Sequence, residues 1–103
     1  MKESDIREAL DARVKAYGGE TRAVSWLGRK NAPDVLCLFG VGTLYERTGP
    51  GDENEMHPFV ETKRPKKSAT AAQAREHERM RAAGCVVLVI TTIEELDAWL
   101  PPL

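Results

Sequence analysis

The sequence predicts an α/β domain in which one mixed β-sheet is flanked by helices, in the order α-β-β-β-α-β-α. Three observations carry this reading. The apolar runs Val35 to Phe39 and Cys85 to Ile90 have strand length, and they are separated by an Ala-, Arg- and Glu-rich stretch, Ala69 to Ala83, of helical composition. Segments with helical periodicity stand at Glu3 to Tyr17 and Ile93 to Leu100. The chain has 103 residues, 42% of them apolar, which is about one domain's worth with one core, so residues 1–103 are read as a single domain.

Each element has its own warrant. Ile6, Leu10, Val14 and Tyr17 recur at helical spacing, and Gly18-Gly19 supplies a stop. Glu20 to Leu27 is read as a short strand, and Gly28 to Pro33 as a polar turn holding Arg29 and Lys30. After the buried strand Val35 to Phe39, Gly40 and Gly42 break the chain, and Thr43 to Arg47 is expected as an edge strand. Thr48 to Met56, with Pro50, Gly51, Asp52, Glu53 and Glu55, reads as an exposed loop. Phe59 to Lys63 has the length of a strand and is closed by Pro65. The helix over 69–83 ends at Gly84, and Thr92 can cap the last helix, which Pro101 and Pro102 stop.

Lys and Arg together number 15 and Asp and Glu 16, so binding driven by bulk basic charge is excluded while a local basic patch is not. No apolar run approaches the roughly 20 residues of a membrane span. The charged start, Met1 to Asp5, shows no signal peptide, so no membrane association is expected. Cys37 and Cys85 each sit inside an apolar run without metal-ligand spacing and read as small buried hydrophobes in a reducing, intracellular setting.

Three features bear on chemistry. At about 100° per residue Glu3 falls in the middle of the apolar face of the first helix, while Glu8 lies almost opposite; a carboxylate there either meets a cation or reaches water from a frayed first turn. Asp34, behind Asn31-Ala32-Pro33, stands at the mouth of a buried strand, where a plain turn aspartate is the simplest reading. On the strand Phe59-Val60-Glu61-Thr62-Lys63, Glu61 and Lys63 point to one face about 6.6 Å apart. A carboxylate and an ammonium so spaced suit metal-dependent hydrolysis, the first holding a divalent cation and the second positioning water and steadying developing charge. They equally suit a solvated ion pair.

Taken together, Pro33-Asp34 and Glu61-Thr62-Lys63 resemble the PD-(D/E)XK nuclease superfamily. Glu3-Ser4-Asp5-Ile6, Gly18-Gly19, Gly28 to Asp34, Phe59 to Pro65, Gln73, and Gly84 followed by Val86 to Ile90 fall in the order of its VRR-NUC (virus-type replication-repair nuclease) family, from about Glu3 to Leu100. The resemblance implies a restriction-endonuclease-like fold and a metal-dependent DNA endonuclease. Asp34 and Glu61 would be the metal-binding carboxylates with the Thr62 carbonyl and the helix glutamate Glu3 as further ligands, Lys63 the catalytic lysine, and Gln73 an additional catalytic position near the site. Gln73 shares a helical stripe with Met80 and is expected to face inward. Asn31 stands where many relatives have Gly, and Arg7 where a second acidic residue is common.

Hard oxygen ligands favour Mg²⁺ or Mn²⁺ over zinc. His57 and His77 share no zinc-ligand spacing and are taken as surface or supporting residues. Lys63, Arg64, Lys66 and Lys67, with Arg29 and Lys30, would concentrate positive charge where DNA lies; Lys66 and Lys67 read equally well as a solvated loop. Trp26 either packs in the core or stacks on a base, and Trp99 belongs to the core or an interface. Stand-alone family members of this size resemble structure-selective nucleases that act on branched DNA, including four-way (Holliday) junctions, as homodimers, and symmetric incision of a junction needs two sites. The resemblance therefore implies a cytoplasmic, junction-cutting homodimer in a bacterial or phage-infected cell. A flap or nicking nuclease, or a catalytically silent DNA-binding module, is the alternative.

Overall fold

The computed structural model describes residues 1–28, 31–48, 56–65 and 67–103. Helix α1 (Glu3–Ala16) leads into strand β1 (Glu20–Ala23), then β2 (Val35–Leu38), a short helix α2 (Leu44–Thr48) and β3 (Phe59–Thr62). Helix α3 (Ala71–Ala82) crosses over to β4 (Val87–Ile90), and α4 (Ile93–Trp99) follows. Among the described residues these strands form one sheet in the order β1-β2-β3-β4. The β1/β2 and β2/β3 pairs are antiparallel, and β3 and β4 are parallel, as a crossover through a helix requires. The predicted mixed α/β fold is the one observed.

Strand alternation divides the side chains between two faces. Val35, Cys37, Phe39, Val60 and Ile90 join Ile6, Leu10 and Val14 of α1 and Leu96 of α4 in the main core, together with Leu100. The other face carries a smaller cluster, Ala32, Met80 and Val87, with Trp26, Phe59 and Cys85 packed against it. The Trp26 and Phe59 rings lie 5.4 Å apart, so Trp26 belongs to this cluster, and Trp99 meets Phe39 and Tyr45 edge-on in the main core. Both cysteines are free, and burial pushes the Cys37 thiol up to about 12, with Asp11 adding to it.

The chain turns out of α1 through Gly18, at φ +90°, a conformation that L side chains avoid. Gly19 then passes so close to β2 that a Cβ there would stand 2.6 Å from the Leu38 carbonyl oxygen.

Three expectations are corrected. The segment Thr43 to Arg47 is not an edge strand: Leu44–Thr48 is helical. Thr43 Oγ1 bonds to the Gly40 carbonyl and receives the Glu46 N–H, and Tyr45 stacks on Phe39 with ring centroids 3.8 Å apart. Packing, not local β propensity, decides so short a piece. The strand from Glu20 ends at Ala23, beyond which Val24 N–H bonds to the Asp34 carbonyl. Met56, read as loop, is buried in the main core and its carbonyl accepts from Phe39 N–H. Residues 49–55 of the expected loop lie outside the described residues. No helix among the described residues is long and apolar enough to cross a membrane.

Candidate functional site

The antiparallel register sets Val35 opposite Val60 and Leu36 opposite Phe59. Carried one residue further, it sets Asp34 opposite Glu61, both on the sheet face that α3 covers. Side chains directly opposite across an antiparallel pair stand about 5 Å apart at Cβ. The carboxylate just before β2 is thus directed toward that of β3, and Asp34 is the foremost charged group acting on the Glu61 carboxyl.

The backbone at Asp34 is held from both sides. Trp26 Nε1–H donates to the Pro33 carbonyl at 2.7 Å, and the Asp34 carbonyl receives Val24 N–H at 2.9 Å. The Asp34 side chain is exposed. Glu61, by contrast, is only 6% exposed. Burial raises its carboxyl from an ordinary value near 4.5 to about 7; Asp34 adds to the rise, Lys63 opposes it, and Glu3 adds a smaller push. Those three groups are therefore the electrostatic surroundings of Glu61. Lys63 follows β3, half-buried, its backbone N–H held by the Ile90 carbonyl. Thr62 is buried on the opposite face of the strand.

Glu3 is the first residue of α1 and is exposed. The frayed first-turn reading therefore fits its exposure, yet it still acts on the Glu61 carboxyl, which Glu8 is not among the groups to do. Gln73 is half-buried, and its side-chain oxygen is engaged at the start of α3. It closes a capping box at the start of α3, its Oε1 accepting from Thr70 N–H while its own N–H donates to Thr70 Oγ1. The inward stripe of α3 is instead occupied one turn on by His77, which is 1% exposed with Nε2 3.7 Å from Glu61 Oε1. Sequence reasoning left His77 as a surface or supporting residue. Its spacing, four after Gln73 and three before Met80, is the signal that places it inward. Of the basic residues, Arg64 and Lys67 are exposed, while Arg29, Lys30 and Lys66 lie outside the described residues.

The donor chemistry suits a hard cation. Among the described residues no three His, Cys, Asp or Glu side chains converge to cage an ion. Mg²⁺ does not need such a cage, since it is commonly held by one or two carboxylates plus water and phosphate oxygens. A buried Glu61 pressed by like charge from Asp34 and Glu3 is relieved by a cation, and that is the observation that fits.

No protein-family model matches the chain. It is similar along nearly its whole length to a protein of Acyrthosiphon pisum secondary endosymbiont phage 1 named "Putative nuclease p44", with 30% identity over 101 residues, covering 98% of this chain and 94% of that one. A solved structure described as a VRR_NUC domain superposes with a TM-score of 0.75 at 30% identity, over 95% of this chain and 92% of the other. The chain belongs to the VRR-NUC family. In this VRR-NUC chain Glu61 lies on the sheet face beneath α3, and Asp34, Lys63 and Glu3 act on its carboxyl. Nucleases of this fold generally use divalent metals, in keeping with the donor set.

Proposed function

We propose that this VRR-NUC protein is a Mg²⁺- or Mn²⁺-dependent DNA endonuclease, selective for branched DNA such as four-way junctions and active as a homodimer. The observation that carries the reading is the buried Glu61 carboxyl with Asp34 and Lys63 acting on it, where the register of β2 against β3 brings these residues toward one another. The phage relative that carries the word nuclease in its name supports the reaction class.

Asp34, Glu61 and the Thr62 carbonyl would hold the cation, which when bound supplies Lewis-acid polarisation of the scissile phosphate. Lys63 places its ammonium beside the attacked phosphorus, orients the incoming water and balances charge that grows on the phosphate oxygens. Glu3, in the first turn of α1, would add a further carboxylate to the cation's surroundings. Arg64 and Lys67 meet the DNA backbone, with Arg29, Lys30 and Lys66 as further contacts. A homodimer would place two such sites on a symmetric junction.

The test is cleavage of labelled linear duplex, single strand, flap, splayed arm and four-way junction in Mg²⁺, Mn²⁺ or EDTA, with Asp34→Asn as the inactive control and sedimentation for the oligomeric state. Metal-dependent cutting of the junction by a dimer, absent in the variant, is the expected result. Preferred cutting of flaps or nicking of duplex would replace the substrate class. Binding of DNA with no cutting in any metal would replace the enzyme by a silent binding module.

On the same substrate, Glu3→Gln is expected to slow cleavage about tenfold, the scale for a residue that supports metal ligands. Glu8→Gln is expected to leave the rate unchanged. Equal initial rates for the two variants would remove Glu3 from the site.

A further inference from the structure

The chemistry above leaves one buried polar group without a task. His77 is 1% exposed, and its Nε2 has no hydrogen-bond partner among the described residues. A buried nitrogen left without a partner weighs against the fold. Helix α3 could avoid that cost with an apolar side chain, as it does at Met80 in the next turn. A neutral imidazole carries one N–H, and the carboxyl facing Nε2 is Glu61, 3.7 Å away at Oε1. An approach of roughly 0.8 Å brings this pair to ordinary hydrogen-bond length.

We propose that His77 is a positioning residue for Glu61, donating Nε2–H to Oε1 and so turning the other carboxylate oxygen toward Asp34 and the cation held there. The proposal rests on the metal-site reading given above. Its physical advantage is a single orientation for a carboxylate that the strand backbone alone leaves free to rotate about its last bond. Hydrogen bonds of this kind to ligand side chains are worth about 10–100-fold in metal affinity. The capping box of Thr70 and Gln73 acts in the same sense, because it fixes where α3 begins and hence which residue of the next turn meets Glu61.

The test is calorimetric titration of the whole protein with Mn²⁺, for wild type, Glu61→Gln, His77→Leu, His77→Met and His77→Gln, with thermal melts of each in EDTA. The apolar variants are expected to bind Mn²⁺ 10–100-fold more weakly and to need correspondingly more Mn²⁺ for half-maximal cleavage. His77→Gln, whose amide can still donate to Oε1, is expected to recover most of the affinity. In EDTA the apolar variants are expected to melt at or above wild type, because the unpartnered nitrogen is gone. A histidine of merely structural value would move both readouts downward together. Mn²⁺ affinity within threefold of wild type in a folded apolar variant overturns the proposal and leaves the metal site standing. Absence of Mn²⁺ binding by wild type overturns both.

Discussion

Glu61→Gln is expected to abolish cleavage and, at the same time, to raise the melting temperature of the metal-free protein at pH 8. The first effect follows from the loss of an anionic ligand. The second follows from the environment of the carboxyl, which burial, Asp34 and Glu3 hold at about 7 instead of near 4.5. A carboxyl whose folded value is raised favours the fold while it is protonated. That contribution is complete below about pH 4.5 and is lost as pH rises through about 7. At pH 8 the ionised Glu61 therefore costs the fold up to about 3 kcal/mol, at about 1.4 kcal/mol for each unit. Glutamine keeps the shape without the charge. Its advantage should be several degrees in EDTA at pH 8 and should vanish at pH 4. Adding Mn²⁺ at pH 8 should raise the melting temperature of wild type and leave the variant unmoved. Residual cleavage by Glu61→Gln, or a melting temperature below wild type in EDTA at pH 8, would remove Glu61 from the site.

Lys63→Ala is expected to lower the cleavage rate at saturating substrate by about 100-fold or more, the usual scale for one electrostatic contact made in the transition state. Binding should respond differently. Lys63 is the cation that opposes the rise in the Glu61 carboxyl. Its removal leaves the carboxylates less compensated, so Mn²⁺ should bind as tightly as in wild type or somewhat more tightly. Single-turnover cleavage and Mn²⁺ calorimetry on the same preparation separate the two effects. Loss of metal affinity in Lys63→Ala would mean that the lysine shapes the site instead of serving the chemistry.

The elements with a clear period were readable in advance. Ile6, Leu10, Val14 and Tyr17 are all buried, and the apolar runs of β2 and β4 are strands, because in these stretches burial and local preference point the same way. The helix α2 was not readable. Five residues carry too little period to show, and the stacking of Tyr45 on Phe39 that decides its conformation joins residues from separate elements. The carboxylate pair was half legible: Asp34 and Glu61 stand out as motifs, but that they face one another depends on the strand register. On α3 the stripe was legible and its occupant was not. Thr70-x-x-Gln73 is the pattern of a capping box, which turns the Gln73 side chain back along the helix start and leaves the inward position to His77. Glu3 lies on the apolar face as its spacing requires, but the first turn of a helix has no preceding turn to cover it, so it is exposed.

The place of β3 inside the sheet has a consequence for how the site moves. With β2 on one side and β4 on the other, β3 lies inside the sheet, paired along its length with β4 and at Phe59 and Val60 with β2. Such a strand gives up its protons to solvent only when the domain opens as a whole. Glu3 is carried by a helix end, where opening costs least. In the proposed nuclease the carboxylates would thus be divided between a strand inside the sheet and a helix end, one held firmly and the other free to yield.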